Sequence, residues 1–281
     1  MHTGHATTSP LDASRSLDAP AAAYWILRVG AAACFIGHGA FGFITKAAWL
    51  PYFGVIGIPE SWAWRLMPVV GAIDVLVGMS VLFAPRGLPL VYMSLWAVWT
   101  ALLRPLAGES VFETLERAGN YGVPFALLLI PGALRSWDGL LGRVDGPASG
   151  EESLTNVRRV LQWTTVLLLL GHGGLGVTAA NHVLADHFDV IGLPADAAAI
   201  GGWFEIGLAA AVAIRPSVGL LLFVFAWKLG TESLFITAGA PIWELVERAG
   251  SLAAPLALGF LQKGRRRGGV VPDPNPPGSG R

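Results

Sequence analysis

Four ionisable side chains stand inside apolar stretches where ionisable groups are rare. His38 and His172 each lie between glycines, in Gly37-His38-Gly39 and Gly171-His172-Gly173. Asp74 and Glu205 each interrupt an apolar run. Histidine changes charge near neutral pH. A carboxylate in a membrane segment costs about 2.5–3.5 kcal/mol on insertion scales, so it is expected to face the bundle interior with a polar partner. His38 with Asp74, and His172 with Glu205, could therefore each form a proton-handling pair. The flanking glycines admit a neighbouring helix or a flat ligand close to the backbone. Two readings stay open for each histidine: a packing residue that hydrogen-bonds a neighbouring span, or a binding and proton-handling group.

Further charges lie nearby in sequence. Glu113 and Arg117, and likewise Glu244 and Arg248, are spaced to pair across one helical turn. Ser110 before Glu113 fits a capping box, and Pro241 suits a first helical turn. Glu116 and Glu247 are not needed for these pairs and are expected to point inward. Pro124 and Pro255 should kink the helices that contain them. Arg104, Lys228 and Glu232 are candidates of another kind, since Phe235, Ala97 and Ala101 stand at their corresponding positions. No Walker loop, GxGxxG, HExxH or CxxC occurs, and the histidines lack the clustered ligands of a zinc site. The one cysteine, Cys34, excludes an intramolecular disulfide and reads as a small apolar residue.

These correspondences belong to a wider pattern. Phe53-Gly54-Val55-Ile56-Gly57-Ile58-Pro59 returns as Phe188-Asp189-Val190-Ile191-Gly192-Leu193-Pro194, and Glu116-Arg117-Ala118-Gly119 as Glu247-Arg248-Ala249-Gly250. A shared order at a near-constant offset indicates one unit, duplicated and fused.

The elements that must position these residues follow from composition. The chain has 281 residues, 53% hydrophobic and 14% charged, with mean hydropathy +0.57. That charge content is low for a soluble domain. The apolar runs predict eight membrane helices near 22–43, 66–84, 88–106, 119–135, 157–179, 199–215, 217–236 and 249–262. Eleven Trp fit interfacial anchoring. The expected fold is an all-α membrane protein, eight transmembrane helices in two parallel four-helix repeats. Residues 22–135 form repeat 1 and 157–262 repeat 2, joined by a linker over 136–156. Residues 1–21 read as a disordered tail and 263–281 as a basic, Gly/Pro-rich one. Arg86, Arg135, Arg143, Arg158, Arg159, Arg215, Lys263 and Arg265–Arg267 would all fall on one side. The positive-inside rule makes that side cytoplasmic, with both termini inside. Net charge is zero, which gives no electrostatic case for nucleic acid.

At these residues the chain resembles the DoxX/DoxD-like family of small four-helix membrane proteins. Repeat 1 carries the resemblance in Leu27-Arg28-Val29, Gly37-His38-Gly39, Lys46, Phe53 through Pro59, and Gly71-Ala72-Ile73-Asp74 with Gly78. Repeat 2 carries it in Gly202-Trp203-Phe204-Glu205 with Gly207, but has Gln162 and Ala180 in place of Arg28 and Lys46. That departure leaves a complete second site in doubt. The resemblance implies an inner-membrane protein of bacterial type. It further implies a quinone-linked redox component, or the membrane subunit of an oxidoreductase with a redox partner subunit in the bilayer. The alternative is a non-enzymatic carrier or binding protein for a small or lipidic ligand, with the His/carboxylate groups handling protons. Haem held by His38 and His172 ranks below both. The sequence names no cofactor, though quinone is the class the resemblance implies.

Overall fold

A computed structural model of the chain describes residues 18–268 except 131–133, 135, 145, 147–149, 179–181 and 195; at 182–185 and 265–268 it describes the backbone alone. Residues 1–17 of the expected tail 1–21, residues 269–281 of the expected tail 263–281, the end of the fourth expected span, and Arg135 and Ala180 lie outside the described residues.

Among the described residues all regular structure is helical, apart from an isolated bridge between Arg86 and Arg143. The helices are α1 (Ala19–Phe43), α2 (Leu50–Val55), α3 (Glu60–Phe83), α4 (Gly87–Leu106), α5 (Phe112–Glu116), α6 (Ala118–Leu129), α7 (Trp137–Leu141), α8 (Glu151–Thr178), α9 (His182–Val190), α10 (Ala197–Ile214), α11 (Val218–Thr237), α12 (Trp243–Glu247) and α13 (Ala249–Gly268). Six of them, α1, α3, α4, α8, α10 and α11, are long and apolar enough to cross a membrane. Their outward faces carry bare apolar side chains, such as Leu76 at 69% exposure on α3. The architecture is that of a multi-pass membrane protein. The fourth and eighth expected spans are less plain: α6 has 12 residues, and α13 ends in a basic run from Lys263. The expected linker is partly helical. It holds α7 and the first turn of α8, where Glu151 and Glu152 favour a helix N-terminus.

The two central helices are α1 and α8. In the N-terminal half α1 packs on α3, and in the C-terminal half α8 packs on α10. Glycine sets both distances. A Cβ on Gly39 would fall 2.6 Å from the carbonyl oxygen of Gly71, and one on Gly173 2.6 Å from that of Gly202. The short helices then cross between halves: α12 packs on α1, and α5 on α8. There Gly37 faces the backbone of Glu247, and Gly171 that of Glu116.

Away from these short helices, Arg28 donates to the carbonyls of Val81 (3.1 Å) and Leu82 (2.6 Å) at the end of α3. Gln162 does the same for Val212 and Ala213 (both 3.0 Å) at the end of α10. Each side chain satisfies carbonyls that a helix end leaves open. Arg28 is thus a cap, and its replacement by Gln162 keeps the function.

Candidate functional site

The close approach of α1 and α3 at Gly39 and Gly71 sets His38 opposite Asp74, one turn along α3. Their Nδ1 and Oδ2 lie 2.7 Å apart, with Asp74 fully buried and the His38 side chain 19% exposed. The imidazole stacks on Trp49, ring centres 4.5 Å apart. Beside it opens a cleft walled by Trp49, Tyr52, Phe53, Trp96 and Trp99. Arg104, Arg117 and Glu247 also line it. Glu247 comes from α12 in the other half of the chain.

The C-terminal half builds a corresponding pair. His172 Nδ1 lies 2.5 Å from Glu205 Oε2. The other oxygen of Glu205 accepts a hydrogen bond from Trp227 Nε1–H at 2.7 Å. Lys228 Nζ stands 4.0 Å from Glu205 and 2.8 Å from Glu232, and Glu232 reaches Arg248 Nε at 3.0 Å. The space beside His172, Glu205 and Trp227 is much smaller than the cleft beside His38. Ala97 and Ala101 stand on α4 at the positions that Lys228 and Glu232 hold on α11. Small side chains therefore leave a cleft in one half, and a buried ion pair fills the matching place in the other.

A charged vestibule joins the halves. Arg117 pairs with Glu113 (2.6 Å) and Glu116 (2.7 Å), and Arg248 with Glu244 (2.5 Å). Across the halves, Lys46 meets Glu244 at 2.6 Å, and Arg248 comes within 3.7 Å of Glu116. Arg104 binds Glu109 at 3.0 Å, and Tyr52 donates to the same carboxylate. Burial disfavours the charged form of Glu116, but Arg117 and Arg248 outweigh it and hold the carboxyl at about 2. Burial likewise works against charged Glu244, and Arg248 and Lys46 reverse it, so its carboxyl lies below the ordinary range. Burial raises the Tyr52 phenol.

The structure thus brings His38 to Asp74, His172 to Glu205, and Lys228 to Glu232. It sets Arg104 at the wall between cleft and vestibule, Glu116 in the vestibule, and Glu247 in the cleft. His38 lines the cleft and His172 the vestibule. The capping box is not made. Ser110 Oγ accepts from Phe112 N–H at 3.3 Å, and the Glu113 carboxylate turns to Arg117. Lys46 ties the halves together, a role that spacing along the chain could not show. The tryptophans were missed as site residues, although Trp96 and Trp227 recur at the offset that maps Asp74 onto Glu205. Among the described residues no group of three or more His, Cys, Asp or Glu is placed to hold a metal ion. Comparison of the chain with family models, curated proteins and solved structures finds no match.

Proposed function

We propose that the chain is a DoxX-like membrane protein of two four-helix repeats, and that repeat 1 binds a quinone-type ring as a quinone-linked redox component. In this reading α6 and α13 complete the fourth and eighth crossings, and the arginine-rich turns face the cytoplasm. One observation carries the functional part: a buried histidine–carboxylate pair borders an aromatic-walled cleft. Flat rings stack well on indole and phenol faces. Asp74 at Nδ1 orients the His38 ring, which leaves Nε2 to exchange a proton with a ring oxygen. The matching place in repeat 2 is filled, so the proposal assigns one ligand site per chain.

The test is equilibrium binding of a short-chain quinone and its hydroquinone to the full chain in lipid nanodiscs. Binding of either form that is lost in His38→Gln and Asp74→Asn but kept in Glu205→Gln supports the reading. No binding of either form by the folded protein overturns it. In that case a co-purifying lipidic ligand would favour a carrier instead.

A further inference from the structure

Given the ring-binding reading of the cleft, two tryptophans bear on which form of the ring it holds. Trp227 stacks on Phe223, centres 6.5 Å apart and planes 21° apart, and donates its indole N–H to Glu205. Trp96 stacks on Tyr92, centres 6.0 Å apart and planes 11° apart. Tyr92 and Trp96 map onto Phe223 and Trp227 at the offset that maps Asp74 onto Glu205. The indoles sit alike, but the acceptor differs. Aspartate is one methylene shorter than glutamate, which withdraws the carboxylate by about 1.5 Å, one carbon–carbon bond. As a result Trp96 Nε1 and Asp74 Oδ1 are both buried and both without a hydrogen-bond partner. A donor and an acceptor, at the positions where Trp227 and Glu205 hydrogen-bond in the C-terminal half, are thus unpaired in the half that has the cleft. Native interiors rarely leave such groups unpaired.

We propose that a ligand hydroxyl fills this gap, donating to Asp74 Oδ1 and accepting from Trp96 Nε1–H, so that the cleft selects a hydroquinone or phenol over a quinone. A hydroxyl both donates and accepts. A quinone carbonyl only accepts, and it would leave Asp74 Oδ1 unpaired. An ammonium group only donates, and it would leave the indole N–H unpaired. The ring lies along the wall that Trp96 forms, in the space that Ala97 leaves open. A tilt of the indole admits the hydroxyl. In the C-terminal half Glu205 supplies the acceptor itself, and Lys228 and Glu232 occupy the space.

The experiment measures the affinity of the full chain in nanodiscs for a short-chain hydroquinone, kept reduced under nitrogen, and for the corresponding quinone. The hydroquinone should bind at least about tenfold more tightly, the scale of one hydrogen bond to a charged group. Asp74→Glu rebuilds the contact of the C-terminal half and should erase that preference. Trp96→Phe removes a donor that either form of the ring accepts from, so it should weaken hydroquinone and quinone binding alike, by up to about tenfold. Circular dichroism checks that each variant is folded. Trp96→Phe carries the test if Asp74→Glu does not fold. Equal affinity for the two forms, a preference that survives Asp74→Glu, or a hydroquinone affinity unchanged in Trp96→Phe overturns this proposal while ring binding stands. Failure of both forms to bind overturns the ring-binding reading and this proposal with it.

Discussion

Around His38 the chain leaves a cleft, and around His172 it fills the matching place with its own side chains. The helix contacts that set the two histidines are alike: glycine against glycine, then histidine against carboxylate. What differs is one methylene in the acid and two side chains on the next helix. Asp74, Ala97 and Ala101 stand in one half, and Glu205, Lys228 and Glu232 in the other. The comparison separates two demands on the sequence. Backbone approach requires small residues in both halves. The contents of the space that approach encloses are free to diverge, provided each buried polar group keeps a partner or a ligand.

The largest effect should come from breaking the ion pair that fills the C-terminal half. Glu232→Ala leaves Lys228 buried without its nearest counter-charge and should cost about 3–5 kcal/mol. Removing both members, Lys228→Ala with Glu232→Ala, recreates the side chains of the N-terminal half and should cost less than the single change. Denaturant unfolding in detergent measures both. A double variant as unstable as Glu232→Ala would mean that the two fillings are not interchangeable.

A smaller effect tests the shared frame. Gly37→Ala and Gly171→Ala each press a methyl group onto the backbone of a short helix from the other half. Each should cost about 1–3 kcal/mol. Gly207→Ala meets open space and should be neutral or slightly stabilising, since alanine favours helix over glycine. Unequal costs at Gly37 and Gly171, read in the same unfolding assay, would show that the halves are not packed alike.

Smaller still, Arg28→Gln installs at the end of α3 the cap that Gln162 provides at the end of α10. It should cost about 1 kcal/mol, the difference between a charged and a neutral hydrogen bond. A loss of ligand binding with the fold intact would give Arg28 a role beyond capping.

A pH dependence of the ties between halves sharpens the comparison further. Glu116 and Glu244 titrate lower in the folded protein than their ordinary value of 4.5. Their contribution is therefore whole above pH 4.5 and is lost as pH falls toward about 2, where Glu116 protonates. Melting temperature should fall over that window in the wild type, and less steeply in Glu116→Gln. An unchanged slope in that variant would place the acid sensitivity elsewhere.

Most of the long helices were legible because lipid-facing segments must be apolar and must satisfy their own backbone. The pairing of each histidine with its acid was legible too. Consecutive membrane helices run antiparallel, so residues at equal depth on such a pair can be neighbours. The shorter helices were harder. Arg117 and Arg248 interrupt them, so α5 and α12 break from α6 and α13. The vestibule was not legible, because Lys46 and Glu244 are far apart in sequence and meet only when α12 lies against α1.

The sequence by itself determined where apolar helices form, which polar residues recur, and which charges stand in one half only. Those properties are local: they depend on hydropathy, spacing and composition within a segment. The tertiary structure alone decided that Arg28 caps a helix, that Glu247 lines the cleft of the opposite half, and that Trp96 lacks the acceptor Trp227 has. These depend on distances between segments, where a single methylene separates a made hydrogen bond from an open one.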